Sequence, residues 1–125
     1  MPPEPTQNQF FRIERHGRIA VVIPAAEVET LSENTMQQAG RKIVAQLKAD
    51  PPAALVIDLA PVYYFGSVFL SFLLRCHMLV KKHGSEVALV VNSDRARELL
   101  HLTALDTLWV IYKTRAEALE AMTTD

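Results

Sequence analysis

The chain has 125 residues, 50% of them hydrophobic and 22% charged, with a formal net charge of -1. A chain of this size buries roughly two-thirds of its extended surface on folding, so one domain with its own core is expected. The near-neutral balance excludes a nucleic-acid footprint and the lean composition of a disordered chain, and a lone cysteine excludes an internal disulfide.

Residues 1–9 are polar and proline-rich without an apolar signal core, which predicts a disordered start, a domain over 10–122 and a cytoplasmic protein. The runs 10–15 and 18–23 read as a β-hairpin turning at His16-Gly17, with Pro24 ending the second strand. Thr30-Leu31-Ser32-Glu33 has capping-box spacing, and Met36, Ala39, Ile43 and Leu47 then recur at helical period until Asp50-Pro51-Pro52 stops them. The run 54–59 is apolar except for Asp58, as in a strand covered on both faces.

From 60 to 74 no residue is charged. The run is nevertheless short of the ~20 apolar residues a bilayer span needs, and Asp58, Pro61, Gly66, Arg75 and His77 interrupt or bound it. A turn over 61–66 and a buried helix over 67–82, closed by Gly84, are the better reading, and a membrane is excluded as a partner. A strand over 87–91 follows, then caps at Asn92, Ser93 and Asp94 before a helix carrying Ala96, Leu99, Leu100 and Thr103. A last strand over 108–112 and a capping box at Thr114 to Glu117 lead into a short terminal helix with Leu119 and Met122. This order predicts a single α/β domain, an N-terminal β-hairpin followed by alternating helices and mostly parallel strands.

Chemistry is sparse. The four glycines, at 17, 40, 66 and 84, are isolated, so no phosphate loop is formed. The histidines at 16, 77, 83 and 101 lack paired ligand spacing, so neither a metal nor a cofactor is expected. Cys76 and His77 project about 100° apart on a helix and make no nucleophile and base; Cys76 reads as a small buried thiol. No catalytic residue is assigned. Asp58 ends a strand on the rim where α/β sheets bind ligands, or accepts hydrogen bonds from the turn after it. The rim reading, joined to the helix start at Ser67, describes a small anion- or nucleotide-binding domain.

The strand 54–58, the pair Asp58-Leu59, then Phe65, Ser67, Leu70, Gly84, the strand 87–91, the segment 100–105 and Ala118-Leu119 fall in the order and spacing of a known pattern. In that order the chain resembles the STAS domain family, the anti-sigma factor antagonists of bacterial partner-switching systems. Gly66, Val68 and Phe69 stand where the family pattern has aspartate, a second serine or threonine, and glycine. Ala104 also stands for glycine, so a left-handed turn is not expected there.

The resemblance implies a non-enzymatic interaction domain whose partner is an anti-sigma factor or related serine kinase, with Ser67 as the phosphorylated serine. A phosphate there would meet free helix N–H groups, so the fold tolerates it, while its charge would disrupt an apolar contact. The implied partner surface comprises Asp58, Tyr64, Phe65, Gly66, Ser67, Val68 and Phe69. Two further readings stand beside it: Ser67 as a plain N-cap, and a degenerate member serving as a scaffold or homodimer subunit.

Overall fold

Gly17 takes a left-handed φ of 63°, and this conformation folds the first strand back on the second. In the computed structural model, which describes residues 10–123, β1 (Phe11–His16) pairs antiparallel with β2 (Ile19–Pro24). The expected disordered start at 1–9 lies outside the described residues. His16, expected in the turn, is instead the last residue of β1, opposite Ile19. The loop is Gly17-Arg18, because the positive φ it requires falls on the glycine.

A 3-10 turn (Ala26–Glu29) leads to helix α1 (Glu33–Ala49). Thr30 does not cap α1: its hydroxyl donates to the Glu27 carbonyl and closes the 3-10 turn. Ser32 is the N-cap, with its hydroxyl accepting from the Thr35 amide at 3.2 Å. There follow β3 (Ala54–Asp58), α2 (Ser67–Lys82), β4 (Glu86–Val90), α3 (Asp94–Leu102), β5 (Val110–Tyr112) and α4 (Arg115–Thr123). The five strands lie in chain order across one sheet, parallel from β2 to β5.

Successive crossovers stepping in one direction put their helices on one face. On that face Val22, Leu55, Ile57 and Leu89 pack with Ile43 and Leu47 of α1 and with Phe69, Phe72, Leu73, Cys76 and Val80 of α2. Val21, Val56 and Val90 face the other way, against Ala118, Leu119 and Met122 of α4. Helices α1 and α2 meet at Gly40, where a Cβ would stand 2.9 Å from the Phe72 ring.

Ala104 does adopt the left-handed conformation, φ 61°, contrary to the expectation drawn from its side chain. The cost, about 1–2 kcal/mol, is imposed by its surroundings. Its amide bonds the His101 carbonyl at 3.0 Å, its carbonyl accepts from the Thr107 hydroxyl at 2.6 Å, and buried Trp109 anchors the segment beyond. The Trp109 indole N–H donates to His77 Nδ1 at 2.9 Å, which makes His77 an acceptor, and burial, with the Lys81 charge, lowers its pKa.

Candidate functional site

The only side-chain chemistry that β3 carries to its end is Asp58, and it is held from two sides. One carboxylate oxygen accepts the Ala60 amide at 3.0 Å and the other accepts Arg115 Nε at 2.7 Å. The chain then turns. Leu59 N–H donates to the Val90 carbonyl, Val62 N–H to the Leu59 carbonyl, and Tyr63 N–H to a carboxylate oxygen of Glu29 at 3.2 Å. Phe65 drops into the core beside Phe69, with ring centroids 5.3 Å apart, and Phe69 in turn meets Phe72 at 5.8 Å.

Gly66 is the N-cap of α2, extended at φ -101°, and offers no side-chain bond to the helix. Ser67 is the first helical residue. It is not the cap that one sequence reading makes it, because a cap residue keeps an extended backbone and Ser67 is already helical. Its side chain is exposed, and its hydroxyl bonds no described residue; its carbonyl accepts the Ser71 hydroxyl at 3.0 Å. Ser67 and half-buried Val68 line two neighbouring grooves. One, of about 210 Å³, runs between α1 and α2 over Met36, Gly40 and Phe72, edged by Glu33 and Arg75. The other, of about 220 Å³, lies over Val28, Leu31 and Phe69, edged by Glu29 and Glu33.

The seven residues expected at the partner surface therefore separate. Tyr64, Gly66 and Ser67 are exposed and Val68 is at the edge, whereas Asp58, Phe65 and Phe69 are 3%, 2% and 2% exposed. The two phenylalanines are a correction to the sequence reading: their rings fill the space beneath the helix start, where apolar burial outweighs exposure. Asp58 likewise does not present a free carboxylate at the rim. The surface gains a member from α3 instead, since the Arg95 guanidinium lies 5.4 Å from the centroid of the Tyr64 ring.

Elsewhere, burial pushes the Cys76 thiol up to about 12, which leaves it protonated and unreactive at neutral pH. Among the described residues no three histidine, cysteine, aspartate or glutamate side chains converge as a metal site. No described helix is long and apolar enough to cross a membrane.

Residues 11–118 match the sequence model of the STAS domain. The chain belongs to the STAS domain family. It is 30% identical over 106 residues to the anti-sigma-F factor antagonist RsfB of Mycobacterium tuberculosis, covering 83% of this chain and 81% of the relative. The crystal structure of an anti-sigma factor antagonist from Mycobacterium paratuberculosis superposes with a TM-score of 0.74 at 31% identity, covering 91% of this chain and 93% of that one. An anti-sigma-factor antagonist STAS domain protein from Planctomyces limnophilus gives 0.80 at 30% identity, over 91% and 98%.

In this STAS domain the residue that sequence reasoning missed is Arg115. Besides Asp58 it bonds Glu14 of β1 through Nη1 at 3.2 Å, and Glu14 also meets Arg12 at 2.9 Å and His16 at 3.1 Å. The hydrogen bond from His16, with Arg115 and Arg12 beside it, holds the Glu14 carboxyl below its usual range even though partial burial opposes this. A signal was present. A cation in the first turn of a helix opposes the helix dipole, so Arg115 needed a carboxylate partner.

Proposed function

We propose that this STAS domain is a non-enzymatic, cytoplasmic partner-switching protein. It docks an anti-sigma factor of the serine-kinase kind through Tyr64, Gly66, Ser67 and Val68, and phosphorylation of Ser67 breaks the contact. The observation that carries the reading is the placement of Ser67. Its side chain is exposed, its hydroxyl bonds no described residue, and it stands at the rim of the two grooves that pass beside Val68. A dianion there is tolerated by a helix start with no acid in its first turn, and it disrupts an apolar contact laid over Val68. Tyr64 and Arg95 supply the aromatic and guanidinium groups that anchor protein interfaces. Asp58, Phe65 and Phe69 support this surface from beneath.

The test uses the purified anti-sigma factor encoded by the same genome. Wild type binds it, and Val68→Asp weakens binding about tenfold or more, roughly 1.4 kcal/mol. With ATP, Ser67 gains the mass of one phosphate and binding falls, and Ser67→Ala gains none. Unchanged affinity of Val68→Asp, or an unmodified Ser67 peptide beside a modified control substrate, sinks the reading.

A further inference from the structure

The Asp58 side chain is 4% exposed and has two partners of different kinds: a charged donor from α4 and a backbone amide from the loop that ends at Ser67. The orientation of such a carboxylate is decided by its strongest partner, and a bond between charged groups at 2.7 Å outweighs one neutral amide. Among the described residues Arg115 is the only charged partner of Asp58. If it were removed, the buried carboxylate would be left without its charged partner and would turn toward water, which alters the acceptor offered to the Ala60 amide. The guanidinium is itself held in place, since Glu14 takes its Nη1 from the β1 side.

We infer that Arg115 is a positioning residue for the Ser67 surface, acting through Asp58 on the loop 59–66. It reaches Asp58 from 57 positions away, on the helix that packs against the opposite face of the sheet from α2. The loop has three other holds, the Val90 carbonyl on Leu59 N–H, the Leu59 carbonyl on Val62 N–H and Glu29 on Tyr63 N–H. Loss of Arg115 therefore loosens the first part of the loop without melting it. The effect on docking rests on the function proposed above; the effect on the loop does not.

The test compares Arg115→Met, Arg115→Lys, Asp58→Asn and the double variant Arg115→Met/Asp58→Asn in the full chain. Amide hydrogen exchange is read at Ala60, Tyr63 and Ser67 against the core strand amides of Ile57 and Leu89, and affinity is read against the anti-sigma factor. In Arg115→Met the core amides keep their protection and Ala60 exchanges about tenfold faster. Affinity falls about fivefold. Arg115→Lys, which keeps the charge, recovers most of both losses. In the Asp58→Asn background, Arg115→Met adds nothing further, as a residue acting through Asp58 must behave. If Arg115→Met does not fold, Arg115→Gln is read in its place.

The inference is overturned if a folded Arg115 variant exchanges Ala60 at the wild-type rate, or if the two substitutions add in full. Faster exchange at Ala60 without any change in affinity, in Arg115→Met and in Val68→Asp alike, upholds the positioning of the loop and removes the docking surface instead.

Discussion

Helices α1 and α2 lie side by side, yet they begin in opposite ways. At the start of α1, Ser32 closes on the Thr35 amide and Glu33 places an acid at the positive end of the helix. Ser93 and Thr114 do the same work for α3 and α4, accepting from the Ala96 and Glu117 amides at 3.3 and 3.1 Å. At the start of α2 there is Gly66, with no side chain to accept and no acid in the first turn. What holds α2 is burial: Phe69, Phe72, Leu73, Cys76 and Val80 all lie in the core. The three capped starts are secured locally. The start that carries Ser67 is secured from below by core side chains and is left open above.

The largest effect that sharpens this contrast is loss of burial under α2. Phe72→Ala removes a ring that touches Gly40, Phe11 and Phe69 at once, and it lowers unfolding free energy by roughly 3–5 kcal/mol in urea titration. A loss no larger than that of a cap residue breaks the comparison. Ser32→Ala, at the capped start, costs about 1 kcal/mol in the same measurement.

The anchor in the middle of α2 gives a pH-dependent effect. His77 has a pKa lowered from 6.5 by burial first and Lys81 second, so the unfolded chain takes up its proton before the folded one does. Its contribution is complete above the unfolded value and is lost as the pH falls through the lower folded one. Melting temperature accordingly declines on acidification below about 6.5, and His77→Gln flattens that slope. Glu14, also depressed, adds its own loss only below its ordinary value of 4.5, so His77 begins to act at the higher pH.

The smallest effect is a gain. Gly66 has an ordinary extended φ and nothing within 4 Å of a built Cβ, so Gly66→Ser supplies the missing acceptor without strain. It stabilises by a few tenths of a kcal/mol in chemical denaturation. A loss on this substitution shows that the α2 start was not short of a cap.

Much of this molecule is legible in local pattern. The alternation of apolar runs with helical periods fixes the element order, and Met36, Ala39, Ile43 and Leu47 are buried as their spacing predicts, and Cys76 as its type does. Thr114 caps α4 as read, Ser93 is the cap of α3 among the three candidates at 92–94, and that of α1 moves from Thr30 to Ser32. The errors share a cause. Phe65 and Phe69 look like an aromatic surface when a turn and a helix start are read alone, and they are buried because α1, α2 and β1 bring their own aromatic and aliphatic side chains to the same place. Ala104 looks unable to turn left, and it does so because the His101 carbonyl before it and Thr107 and Trp109 after it hold the segment.

The sequence by itself determined one α/β domain, its family pattern, and a central helix starting at Ser67 either as its cap or as its first residue, since these depend on periods and spacings within a few residues. Only the tertiary structure decided which of the seven surface candidates face outward and that Asp58 is claimed by Arg115. Those outcomes depend on which distant segments compete for the same buried space and charge: residues 57 apart in the chain are 2.7 Å apart in the fold, and no local pattern records that approach.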